Sequence, residues 1–176
     1  MTTRQKSRIS SIIAFMAMMM MTVTWASAQN QGMTWTAYGL YYEFPAGMSV
    51  TRSYDNGGTL FRAEDNFSFN YDIVPNDGVS IKCWDVARNC VANLPHENVN
   101  ITNEQTLSVY GSPLVSHAIR GECLVNGASY QFLVVGFEHK DTEINFQLQF
   151  FYPADDNLDY NKEQAEQIWK SFKAVE

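Results

Sequence analysis

Hydrophobic and polar residues alternate with a period of two along most of this chain. Tyr38, Leu40, Tyr42 and Phe44 alternate with Gly39, Tyr41 and Glu43 until Pro45 ends the run. Phe67, Phe69, Tyr71 and Ile73 alternate with Ser68, Asn70 and Asp72, which predicts a half-buried strand. Ile144, Phe146, Leu148 and Phe150 alternate with Glu143, Asn145, Gln147 and Gln149, which predicts one dry face and one wet one. The centre of "ASYQFLVVGFEH" is apolar on both faces, as in an interior strand covered on each side. Turn residues join these runs. Asn126-Gly127 links "LVSHAIRGECLV" to that interior strand, and "HKDTE" returns the chain into the 144–150 run. The result is a three-stranded antiparallel meander. "DNGG" at 55–58 separates "MSVTRSY" from "TLFRAE" as a further hairpin, since Asn and Gly accept positive φ. "PNDG" closes the strand that starts at Phe67.

Two segments have helical period. Ala165, Ile168, Trp169 and Phe172 form one stripe near the C-terminus, with Asn161 as the expected cap and Gln164 in capping-box spacing. Lys170 and Lys173 suit its last turn. In the stretch around "CWDVARNC", Cys83, Trp84, Val86, Ala87, Cys90, Val91 and Leu94 share one arc at about 100° per residue. This predicts a helix from about Ser80 to Asn93, stopped by Pro95, with Trp84 as its large buried anchor. Glu97 to Leu107 reads as a loop leading into a further strand or short turn.

The first 28 residues belong to another category. Arg4, Lys6 and Arg8 precede the apolar run "IIAFMAMMMMTVTWA", and "ASA" at 26–28 supplies small residues for cleavage. This is the layout of a signal peptide, with an apolar core too short to span a bilayer. No cysteine follows it, so a lipoprotein anchor is not indicated. The expectation is export to the periplasm or beyond, a single mature domain over 29–176, and no transmembrane segment after cleavage. Removing three basic residues takes the formal charge from −7 to −10. Such an acidic chain with no basic stripe repels phosphate backbones, which argues against nucleic-acid binding and leaves cationic partners open.

The order of elements is strands, a helix, an antiparallel meander and a closing helix. It resembles the PsbP-like fold, an α/β/α sandwich shared by the extrinsic PsbP protein of photosystem II, Mog-type Ran-binding proteins and bacterial DcrB-like proteins. "YYEFPAGMSV" is similar to that family's first hairpin, an aromatic strand broken at Pro-x-Gly. "AEQIWKSFK" resembles its closing helix, which ends on a Ser-Phe pair. The resemblance implies an α+β fold, with helices packed on an antiparallel sheet, and a binding or accessory role. It transfers no site residue. A lipocalin-like barrel fits less well, because the internal helix interrupts the strands.

Candidate chemistry is sparse. On a helix, Cys83 and Cys90 stand about 10.5 Å apart along the axis, whereas a disulfide wants Cα atoms roughly 4.4–6.8 Å apart. They therefore do not pair with each other. Cys123 shares a strand face with Ile119 and Val125, so a packed helix could bring either Cys83 or Cys90 to it, and an oxidising compartment permits that bridge. Three small buried hydrophobes are the alternative. His96, His117 and His139 are scattered, without the second His of a zinc helix. "DDNLDYNKE" lacks calcium-loop spacing, and Glu64-Asp65 and Asp155-Asp156 read as turn or loop residues whose carboxylates are solvated or cap neighbouring elements. No cofactor motif is present. Tyr41 and Tyr110 are expected to be more exposed than the other aromatics. Asn66 and Asn100 each head an Asn-x-Ser/Thr triplet.

These patterns point to an exported, non-enzymatic binding or accessory protein acting through a sheet face or loops on a protein or cell-envelope partner. One alternative is a small-molecule or lipid carrier with an apolar cavity between sheet and helix. Another is a hydrolase with a dispersed site.

Overall fold

The computed structural model describes residues 30–54, 56–75, 81–109 and 111–175. The leader, the "PNDG" turn beyond Pro75, Ser80 and Tyr110 lie outside the described residues. Among the described residues ten strands are formed: β1 (Gln31–Trp35), β2 (Leu40–Phe44), β3 (Ser49–Tyr54), β4 (Gly57–Arg62), β5 (Phe67–Pro75), β6 (Glu97–Ser108), β7 (Leu114–Val125), β8 (Ala128–His139), β9 (Ile144–Pro153) and β10 (Lys173–Ala174). The α-helices among the described residues are α1 (Cys83–Ala92) and α2 (Leu158–Ser171).

Seven strands make one antiparallel sheet in the order β3-β4-β5-β9-β8-β7-β6, and β1, β2 and β10 make a small second sheet. The meander β7-β8-β9 forms as its pattern predicts. Asn126 and Gly127 both take positive φ in the β7-β8 turn, the backbone that Asn-Gly accepts at little cost. All of Phe132 to Phe137 except Gly136 pack into apolar cores, because β8 is covered on both faces.

One face carries α2 and the small sheet. Phe67, Phe69, Phe146, Leu148 and Phe150 are fully buried there with Tyr42 and Trp169. Tyr42 of β2 stacks on Phe172 with ring centres 4.6 Å apart, and Phe172 meets Phe137 and Phe146 in turn. The Tyr42 hydroxyl donates to that of Tyr71, and burial pushes the Tyr42 phenol well above its ordinary range. The other face carries α1, whose Ala87, Cys90 and Val91 pack on Ile119, Cys123, Phe132 and Val134. The layers are therefore helix, sheet, and helix with small sheet, as the α/β/α expectation requires.

Several local expectations are corrected. Asn161 is not the cap of α2. The helix starts a turn earlier, after Asn157, and Asn161 is wholly buried inside it. Its Oδ1 accepts from the Arg62 guanidinium at 2.7 Å, which Asp65 also grips at 2.8 Å. A buried arginine needs such partners, and it outbids the capping role. Trp84 is no buried anchor but is 39% exposed, because α1 lies flat on a glycine and only its small side chains face the sheet. Tyr38 falls in a 3-10 turn ahead of β2. The 97–107 stretch is neither loop nor turn but most of β6, a 12-residue edge strand. It escaped the pattern because an edge strand exposed along nearly its whole length needs no alternation. Its register shifts twice, and Asn98 takes φ 53°.

Candidate functional site

One row of residues crosses all seven strands. Tyr54, Gly57, Asp72, Gln147, Gly136, His117 and Thr106 are successive cross-strand partners from β3 to β6. Directly opposed residues share a face, and Ile119 two residues beyond His117 sets that face as the α1 side.

The two glycines in the row shape it. A Cβ on Gly136 would lie 2.6 Å from the Ala87 nitrogen and 2.9 Å from the Val86 Cβ, so α1 rests directly on the β8 backbone. A Cβ on Gly57 would lie 2.9 Å from the Tyr54 ring. With none there, the ring crosses β4 and its hydroxyl donates to Asp72 on β5. The glycines of "DNGG" thus serve inside β4, since Tyr54 already pairs with Gly57 and Gly58 packs on the Tyr71 ring. Burial, and then the bond to Asp72, pushes the Tyr54 phenol up to about 12. Gln147 Nε2 donates to the second Asp72 oxygen at 3.2 Å.

Between Tyr54 and α1 the row opens into a cleft of about 450 Å³. Asp72, Val74, Asn145 and Gln147 line it from the sheet, Tyr54 and Asn56 from the first hairpin, and Ile81, Val86 and Asn89 from α1 and its approach. A second hollow of about 310 Å³ shares Asn89 and Gln147 and continues past Asn93 and Gln149. The face of β9 expected to be wet is therefore an amide-lined flank. Asn145 is only 5% exposed, and its Nδ2 donates to the Ile81 carbonyl at 3.2 Å. Its Oδ1 has no hydrogen-bond partner among the described residues. A buried acceptor left unpaired is costly and is the kind of atom a ligand satisfies.

The opposite flank of α1 is closed by a polar clamp. His117 Nδ1 and Thr106 Oγ1 are 2.8 Å apart, His117 Nε2 and Glu104 Oε2 are 3.0 Å apart, and Arg88 of α1 donates to Glu104 at 3.1 Å. Hydroxyl, imidazole and carboxylate stand in relay order, but the imidazole faces its hydroxyl through Nδ1, the reverse of the serine-protease arrangement. The bonds tie β6, β7 and α1 together. The His117 and Arg88 bonds hold the Glu104 carboxyl below the usual range. Its contribution to stability is therefore present above the ordinary carboxylate pKa and is lost as pH falls through the lowered one. Glu104→Gln should lower the thermal midpoint at pH 7, and the gap from wild type should close as the pH drops below about 4. Melting curves across that range check this.

Cys83, Cys90 and Cys123 are buried free thiols. Cys90 shares the small core with Cys123, while the Cys83 carbonyl sits over Gly136. Burial, with Asp72's charge second, pushes the Cys90 thiol up to about 12, which makes it a poor nucleophile. His96 meets the edge of Phe151, and burial lowers His139. No group of metal-ligating side chains occurs among the described residues. Tyr41 is half-buried under Lys173, 4.5 Å from its ring centre. Asn66 and Asn100 are exposed. No described helix is long and apolar enough to cross a membrane. Sequence reasoning named none of the cleft residues as a site; the signal was the run of amides on one face of β9, opposite Asp72.

No protein-family profile and no curated sequence matches the chain. Among solved structures it is similar to the Ran-binding protein Mog1p of Saccharomyces cerevisiae, with TM-score 0.61 and 10% identity over 85% of this chain and 97% of that one. It is also similar to the cyanobacterial PsbP of Synechocystis, with TM-score 0.62 and 14% identity over 86% and 96%. LpqN of Mycobacterium tuberculosis, described as involved in cell envelope biogenesis, gives TM-score 0.57 and 13% identity over 84% and 91%. At such identities the likeness speaks for architecture alone. The chain has the α+β fold of the PsbP and Mog-type proteins.

Proposed function

We propose that this chain is an exported binding or accessory protein that engages a protein or cell-envelope partner at the cleft beside α1, and that it does no catalysis itself. The observation that carries this reading is the cleft, a recess of ligand-site volume with an unsatisfied buried amide oxygen and apolar side chains at its edge. Val74 there is 55% exposed and Ile81 39%. The leader pattern over 1–28 supports export, with the domain over 29–176 working in the periplasm or outside the cell. A Ran-binding protein and an envelope-biogenesis protein of the same architecture are in keeping with a partner-binding role.

A photo-crosslinking residue at Val86 tests this in intact cells. It should yield one defined adduct, which Asn145→Leu abolishes, while the same residue at Val99 on β6 yields none. Adducts at both positions, or an adduct indifferent to Asn145→Leu, would overturn the cleft as the site.

A further inference from the structure

We propose that the partner is a protein that places a lysine side chain in this cleft, its ammonium between Asp72 and Asn145 and its methylene stem along Val74, Ile81 and Val86. The inference rests on the cleft being the binding site and names the chemistry of what enters it.

Among the described residues Asp72 is the one carboxylate lining the cleft, and no lysine or arginine among them lines it. Both its oxygens take hydrogen bonds, but from neutral donors, the Tyr54 hydroxyl and the Gln147 amide. No ion pair reaches it among the described residues; Arg52 stops 5.6 Å from the centre of the Tyr54 ring. A half-buried negative charge, without an ion-pair partner among the described residues, therefore faces the recess, and each carboxylate oxygen keeps a lone pair. On β9, Asn145 stands two residues before Gln147, the cross-strand partner of Asp72, so it lines the recess on the same face one step along, with its buried Oδ1 unpaired among the described residues. Acceptors without a cation select a ligand that donates and is positive. They turn away phosphate and carboxylate groups.

Lysine fits better than arginine. The guanidinium fork seeks two parallel bonds to one carboxylate, and Tyr54 and Gln147 already hold one position on each oxygen. An ammonium is a point charge whose three donors can divide between Asp72 and Asn145. Its stem needs apolar cover, which Val74, Ile81 and Val86 supply. The surplus of acidic residues over the whole chain would draw such a partner in.

Titrating the isotope-labelled protein with Nα-acetyl-lysine amide, read by amide NMR, tests the proposal. The side-chain amides of Asn145 and Gln147 and the backbone of Val86 should shift. Nα-acetyl-norleucine amide, which has an apolar chain without the charge, should bind at least about tenfold more weakly. Asp72→Asn should weaken lysine binding by about the same factor and leave norleucine binding as it was, which also shows the variant is folded. In the wild-type protein, added salt should weaken lysine binding alone. Equal binding of lysine and norleucine overturns the lysine assignment and leaves the cleft as the site. So does N-acetylglucosamine shifting these resonances where lysine does not, which would make the ligand a saccharide. If no probe shifts them and Val86 gives no adduct in cells, both readings fall.

Discussion

Trp169→Ala is expected to lower the stability of the fold by about 3–5 kcal/mol, a large part of the roughly 5–15 kcal/mol that holds a domain together. The side chain is 1% exposed in the middle of the larger core. Its indole nitrogen donates to Ser116 Oγ at 2.9 Å, a buried polar contact between α2 and the floor of β7. Arg120 lies 5.4 Å from its ring centre and is itself bound to Glu166 one turn back on the helix. Burial would raise the Glu166 carboxyl, but Lys170 and Arg120 outweigh it and hold it low. Removing the indole thus empties a cavity and loosens both neighbours. Urea unfolding should show a lower midpoint with an unchanged slope. Trp169→Phe keeps most of the apolar burial but leaves Ser116 unpaired, and about 1–3 kcal/mol is expected there. A loss below 1 kcal/mol for the alanine variant would mean that α2 is not held through this residue.

Gly136→Val should cost about 3 kcal/mol or more, by overpacking and not by a cavity. The atoms that its Cβ would meet are mainly backbone, the Cys83 carbonyl and the Ala87 amide, and these cannot rotate away. The helix must lift instead, which opens the small core of Ala87, Cys90, Val91, Ile119 and Val134. The expected signature is local. Amide hydrogen exchange over Cys83–Ala92 should speed up, while Leu158–Ser171 on the far face keeps its protection. Equal loss of protection in both helices would show that the two faces unfold as one unit.

Much of this architecture is legible in the sequence because its physics is local. Phe67 to Ile73 and Ile144 to Phe150 alternate because one side of each strand meets the larger core. Asn126-Gly127 is read correctly because both residues take the positive φ that the turn needs. The failures concern residues whose role is set from a distance. Asn161 has cap chemistry and cap spacing, yet Arg62, 99 residues earlier, claims its side chain. Trp84 sits on the apolar arc of α1, but Gly136 draws the helix so close that only small residues fit beneath it. The cleft is assembled from a distance in the same way. Asn145 belongs to the period-two run of amides on β9, but only the strand register sets Tyr54 and Asp72 beside it, and the seating of α1 on Gly136 brings Asn89.

The two outer strands of the large sheet have a bearing on how the chain behaves when concentrated. β3 changes register between Val50 and Arg52, and β6 does so twice before Asn103. Fibril growth by strand addition requires a straight, evenly spaced row of free amides and carbonyls, and irregular, polar edges frustrate it. On β6 only the stretch from Asn103 to Ser108 offers such a row, and Glu104 within it is bound into the clamp with His117 and Arg88. The kinks in the borders thus act as guards against templating of one copy of the chain by another.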